Sequence, residues 1–148
     1  MGITETEFAK LYSRNTTATR AARNRFGEIS AVSLRVKGIR GGKRGAAAQE
    51  IVWYTVLIDV EHLRGSQIPT VFVLSPDDRD IHHVNVFPPA ACSYLDGRAY
   101  PHICWGGYVA EWRKLEAHRH NRSLVSLVQR LEIVLQNQNF QSCARQPG

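Results

Sequence analysis

The chain has 148 residues, of which 43% are hydrophobic and 22% charged, and its formal net charge is +6. These values exclude general disorder and favour one globular domain with a single core. No apolar run approaches the roughly 18 residues of a membrane-spanning helix, and no secretory signal is evident, so we expect a cytoplasmic protein. Its three cysteines, an odd number, favour free thiols over a disulfide framework.

Residues 4–25 are predicted to form an N-terminal helix. Phe8 and Leu11 lie at helical spacing, and Thr4 or Thr6 is available as the N-cap. The helical tendency continues more weakly to the end of this segment.

Four strands of an antiparallel meander are predicted next. ISAVSLRVKGI (29–39) alternates apolar and polar residues, and IVWYTVLIDV (51–60) is apolar on both phases, as a central strand is. TVFVLSP (70–76) supplies the third strand and IHHVNVF (81–87) the fourth. The connections are too short for crossover helices, which indicates antiparallel pairing.

After the diproline at 88–89 the chain is predicted to be irregular as far as about residue 121. Residues 121–140 then carry one apolar stripe at helical spacing, with Asn121 or Ser123 as the cap. We expect this closing helix to pack on the sheet. The last residues, 141–148, are expected to form a frayed tail.

The stretch HHVNVFPPAACSYLDG (82–97) combines a thiol, an amide and two histidines across a proline-stiffened loop. A fixed amide N–H can stabilise the negative charge that develops on an acyl oxygen when a thioester forms or is attacked. A thiol suits such acyl transfer because its thiolate attacks carbonyls readily and leaves readily. His83, Asn85 and Cys92 are therefore candidate functional residues.

The order of these features resembles that of ubiquitin-conjugating enzymes. His83-Val84-Asn85 is similar to the HPN tripeptide of that family, and Cys92-Ser93-Tyr94-Leu95-Asp96 to its ICLD-like nucleophile segment. Trp112 is similar to the tryptophan that follows the nucleophile. The resemblance covers roughly residues 4–140, and it implies one α+β domain over residues 1–148 with an N-terminal helix, a four-strand antiparallel meander and a C-terminal helix packed on the sheet.

The resemblance implies a divergent bacterial enzyme in which Cys92 holds a thioester. Asn85 would stabilise the oxyanion or brace the active-site loop, and His83 would be mainly structural. The implied partners are an activating enzyme, a donor and an acceptor protein or amine. The donor is a ubiquitin-like protein or the C-terminus of a CD-NTase-type nucleotidyltransferase, as in antiphage systems such as CBASS. No cofactor and no metal is implied.

Asp96 and Cys104 each have two interpretations. A carboxylate at Asp96 could orient an incoming lysine ammonium, whereas the Asp-Gly pair that it begins is also a turn signal. YPHIC (100–104) carries a second candidate thiol, Cys104, for which a packed position is expected because Ile103 and Trp105 flank it. The role of residues 97–120 stays open.

Three alternative functions stay open beside conjugation. The first is a catalytically inactive binding module of the same fold. The second is a basic nucleic-acid-binding protein, which the arrangement of aromatic residues and arginines disfavours because the two do not interleave. The third is a thiol hydrolase with a histidine base, which would need His83 or His102 beside the sulfur of Cys92.

Overall fold

A computed structural model describes residues 1–45, 50–65, 67–115 and 122–147 of the chain. Within those ranges the fold is α+β, with three α-helices and one six-stranded antiparallel sheet. The helices are α1 (Glu5–Arg14), α2 (Tyr108–Lys114) and α3 (Leu124–Gln136). The strands are β1 (Thr19–Arg23), β2 (Ile29–Ile39), β3 (Ile51–Asp59), β4 (Val71–Ser75), β5 (Val86–Ala91) and β6 (Ala99–Ile103), in the sheet order β1-β2-β3-β4-β6-β5.

The N-terminal helix is shorter than predicted. It begins after Thr4, whose hydroxyl accepts the N–H of Glu7 as an N-cap. Asn15 ends it, because its side chain accepts the N–H of Thr17 and so stabilises a turn, and the β-branched threonines that follow favour extended backbone. The prediction of helix as far as residue 25 is therefore wrong, since β1 occupies its second half.

The three central strands follow the apolar patterns of the sequence. β2 and β3 pair in continuous register from Ala31 opposite Asp59 to Ile39 opposite Ile51. The side chains on one face of these strands form the main core with α1 and α3. Its members include Phe8, Leu11, Val32, Leu34, Val36, Tyr54, Val56, Ile58, Leu127 and Leu131.

The second half of the sheet differs from the predicted meander. The strand predicted as the fourth, residues 81–87, overlaps β5 only at its end. β5 contains the diproline at 88–89, and prolines are tolerated there because β5 is an edge strand. A hairpin returns to β6, which inserts between β5 and β4 with His102 opposite Phe72. The segment predicted to be irregular therefore contains a strand, β6, and a helix, α2.

The closing helix α3 agrees with its predicted apolar stripe. Ser123 is its N-cap and accepts the N–H of Ser126 at 3.1 Å, whereas Asn121 lies outside the described residues. The buried residues of the stripe are Leu124, Leu127, Val128, Leu131 and Leu135. Among the described residues, no helix has the length and apolar character to cross a lipid bilayer.

The segment after α3 is docked on the fold and is not a frayed tail. The N–H of Ala144 donates to the carbonyl of Val84 at 2.7 Å. The guanidinium of Arg145 donates to the carbonyls of Val86 at 2.6 Å and Ile81 at 3.2 Å, and it pairs with Asp78 at 2.7 Å. These bonds hold the end of the segment against β5, and its beginning, residues 137–139, lines the cavity described below.

Candidate functional site

Cys92 begins the loop of the β5–β6 hairpin. This loop folds back over the sheet face opposite the helices, where the side chain of Cys92 is 0% exposed and packs with Ala31, Leu57 and Phe72. Its N–H donates to the carbonyl of Arg98 at 2.8 Å, which closes the loop. The thiol therefore occupies the position of a small hydrophobic core residue. The predicted role of Cys92 as thioester carrier requires an accessible thiol, and the burial of its side chain contradicts that requirement.

Asn85 lies at the opposite end of β5, and its amide faces the C-terminal segment. Its Nδ2 donates to the carbonyls of Asn139 at 3.0 Å and Ser142 at 3.1 Å, and its Oδ1 accepts the N–H of Asn139 at 2.8 Å. Cys92 follows by seven positions of mostly extended chain, roughly 20 Å at the rise of a strand. The structure therefore does not bring Asn85 and Cys92 together, and the Asn85 amide braces residues 139–142.

His83 is buried beside Asn85. Its Nδ1 accepts the N–H of Asn85 at 3.1 Å, and its side chain is 0% exposed. Burial lowers the pKa of His83 to about 4, although the backbone carbonyls at the end of α3 oppose the shift. Gly41 packs on it so closely that an added Cβ would lie 2.5 Å from the Cα of His83. The neutral imidazole thus occupies a structural position at a tight junction.

Asp96 lies at the tip of the β5–β6 hairpin, next to the buried Cys92. It ends the single 3-10 turn Ser93–Leu95 with a φ of 53°, and Gly97 follows with a φ of 71°. Asp is one of the few residues besides Gly that tolerate this left-handed conformation. The geometry corresponds to the turn interpretation of Asp96, and the turn is at the end of β5 remote from Asn85.

A different thiol, Cys104, lies beside Asn85. The β5–β6 hairpin pairs Val86 with Ile103, so the next residues outward, Asn85 and Cys104, are also neighbours. The N–H of Cys104 donates to the carbonyl of Asn85 at 2.8 Å. Its Sγ lies 3.8 Å from the carbonyl oxygen of Ser142, the same oxygen that accepts from the Asn85 amide. Cys104 is partly exposed. The sequence offered Cys104 as a second candidate, but its proximity to Asn85 depends on β6, which was not predicted.

Cys104 lines a cavity of about 150 Å³ between the turn that follows β6 and the C-terminal half of α3. Trp105 and Gly107 line one side of the cavity, and Arg130 and Asn137 line the other. The indole N–H of Trp105 donates to the carbonyl of Pro69 at 3.2 Å, which fixes that wall. The space is large enough for an acyl group or a very small side chain.

Three other features of the described residues bear on chemistry. A larger cavity of about 330 Å³ lies beside Asp59 and His62, and no thiol is among its described lining residues. In the same ranges, no three His, Cys, Asp or Glu side chains are grouped so that they could hold a metal ion. His102 stacks on Phe87, with ring centroids 5.0 Å apart, and desolvation lowers its pKa.

Comparisons with known proteins assign no family to this chain. Neither a scan against protein-family models, nor a search of characterised proteins, nor a search of solved structures found a match. The functional argument therefore depends on the geometry of the site and on the sequence resemblance.

Proposed function

We propose that the protein is an acyl transferase of the ubiquitin-conjugating type, in which the thiol of Cys104 carries a protein C-terminus as a thioester. The observation that carries this proposal is the partly exposed Cys104 thiol, which lies beside Asn85 and lines a small cavity. In the proposed cycle the Cys104 thiolate attacks the activated C-terminal carbonyl of the donor, and the previous thiol carrier leaves. An amine then attacks the thioester, an amide forms and the Cys104 thiol is released.

The surroundings of Cys104 support this assignment over Cys92. The Asn85 amide uses both of its ends on the segment that contacts the Cys104 sulfur, so it acts as the brace that holds the thiol in place. Cys92, by contrast, is 0% exposed, and a protein C-terminus would have to unfold the hairpin loop to reach it.

The partners belong to the same proposal. An activating enzyme would deliver the donor, which is a ubiquitin-like protein or the C-terminus of a CD-NTase-type nucleotidyltransferase, and the acceptor would be a protein or another amine. Antiphage defence of the CBASS kind is the setting that the resemblance implies. The net charge of +6 favours encounter with acidic protein surfaces at low salt.

The test is the variant Cys104→Ser, expressed in the native host. A serine ester is more stable than a thioester, so we expect the variant to accumulate a covalent adduct whose added mass identifies the donor. Cys143→Ser is the matched control, because Cys143 is an exposed thiol outside the cavity lining and its replacement should leave the wild-type thioester in place. An adduct that is still present in Cys104→Ala would contradict the proposal.

A second candidate function, binding of single-stranded nucleic acid, is favoured by one surface. On the sheet face opposite α1 and α3, the guanidinium of Arg35 lies 5.0 Å from the ring centroid of Trp53, which is 49% exposed. Lys37 on β2 is paired with Trp53 on β3. Bases stack on such an aromatic and cationic surface. This function predicts an affinity that falls steeply with salt, is lost in Trp53→Ala and is unchanged in Cys104→Ser.

A further inference from the structure

Arg130 is the charged residue that lines the Cys104 cavity. It projects from the middle of α3, and its Cζ lies 4.8 Å from the ring centroid of Tyr108, so a cation–π contact holds the guanidinium against that ring. Tyr108 is itself fixed between Trp105 and Trp112, with ring centroids at 5.8 and 6.2 Å. The positive charge is therefore placed by packed aromatic rings.

The hydrogen-bonding capacity of Arg130 is only partly used. Its Nε is buried and has no hydrogen-bond partner, and no described carboxylate lies within 4 Å of its guanidinium. The other described residues that line the cavity are neutral. A buried guanidinium N–H without a hydrogen-bond partner is costly, and a carboxylate is the group that matches the planar donors of arginine.

We propose that the cavity is an anion subsite in which Arg130 recognises a carboxylate on the molecule that reacts with Cys104. For the donor protein this predicts an acidic side chain close to its acyl terminus, and that part of the inference rests on the proposed function. The subsite itself does not, because it concerns only a charge that lines the same cavity as the thiol. The volume of about 150 Å³ suits a group of carboxymethyl size.

Two alkylating reagents of equal size test the subsite. Iodoacetate is anionic and iodoacetamide is neutral, and with each the Cys104 sulfur bonds to the methylene carbon, iodide leaves and the thiol proton passes to solvent. We expect the rate with iodoacetate divided by the rate with iodoacetamide at Cys104 to fall about tenfold in Arg130→Gln, since a focused charge raises the local concentration of an anion by at least that factor. Peptide-resolved mass spectrometry gives the two rates for each cysteine.

The controls separate the subsite from general effects. Arg130→Lys keeps the charge and should keep most of the preference for iodoacetate. This variant distinguishes the loss of charge in Arg130→Gln from a loss of packing on Tyr108. Arg113→Gln removes an equal charge from the exposed side of α2 and should leave the ratio at Cys104 unchanged. Exposed Cys143 is an internal reference whose ratio should be the same in all variants.

An unchanged ratio at Cys104 in Arg130→Gln would overturn the inference, as would an equal fall in Arg113→Gln. Neither the activating enzyme nor the donor is present in these reactions. A failure of the proposed acyl transfer would therefore appear in the search for a covalent adduct at Cys104, and a failure of the subsite would appear only in these alkylation rates.

Discussion

Replacing Arg145 by alanine tests whether the C-terminal segment is part of the fold. The Arg145 side chain is 14% exposed, and its guanidinium donates to the carbonyls of Val86, Ile81 and Phe87 at 2.6–3.2 Å and pairs with Asp78 at 2.7 Å. Hydrogen bonds of a charged group are worth about 1.5–3 kcal/mol each, but these share one group and Asp78 is 39% exposed, which screens the ion pair. We expect the free energy of unfolding to fall by about 3 kcal/mol and the melting temperature by roughly 6–12 °C.

Urea denaturation followed by circular dichroism measures this change, with Arg79→Ala as the matched control. Arg79 is 83% exposed and its contact with Asp77 is 4.0 Å long, so its replacement should alter the free energy of unfolding by less than about 0.5 kcal/mol. If Arg145→Ala also stays within about 0.5 kcal/mol of wild type, the C-terminal segment is not docked as described.

Three further predictions concern the cysteines and the polar junction. In the native protein a thiol reagent should modify Cys143 fastest, Cys104 more slowly and Cys92 only on unfolding, since these side chains are respectively exposed, partly exposed and buried; rapid labelling of Cys92 would contradict its burial. Asn85→Ala removes three hydrogen bonds and should lower the free energy of unfolding by about 3 kcal/mol in urea, at roughly 1 kcal/mol per bond; a loss below about 0.5 kcal/mol would show that the amide braces nothing. The pKa of His83 is about 4 in the folded protein and 6.5 ordinarily, so between pH 4 and 6.5 the unfolded chain binds more protons than the folded protein does. Stability should therefore be complete above pH 6.5 and should fall by up to about 3 kcal/mol as the pH drops towards 4. Urea titrations across that range should show a flatter profile for His83→Gln, and an identical slope would remove His83 as the cause.

The sequence predicts the central part of the fold because local patterns decide it. β2 alternates and β3 is continuously apolar, as expected for strands beside a helix-covered core, and the stripe of α3 has the helical period. β1 was mistaken for helix because its arginines and alanines are also good helix formers, and its extended state is set by pairing with β2. β6 was missed because a five-residue strand with a central proline gives little local signal and gains its stability from β4 and β5.

The candidate site shows the same division between local and tertiary effects. The sequence identified Asn85 and a nearby cysteine, but nearness along the chain is misleading when an extended strand separates the two residues. The hairpin brings positions 85 and 104 together, and the burial of Cys92 results from Leu57 and Phe72 on strands distant in sequence. The docking of Arg145 and the position of Arg130 beside Tyr108 likewise depend on contacts between distant segments.

Intact-mass spectrometry of the wild-type protein, purified from its native host without reducing agent, tests the central claim most directly. We predict an added mass that corresponds to a protein C-terminus, is released by a thiol reducing agent and maps to the peptide containing Cys104. An adduct that maps to Cys92 instead, or one that survives in Cys104→Ala, would contradict the account.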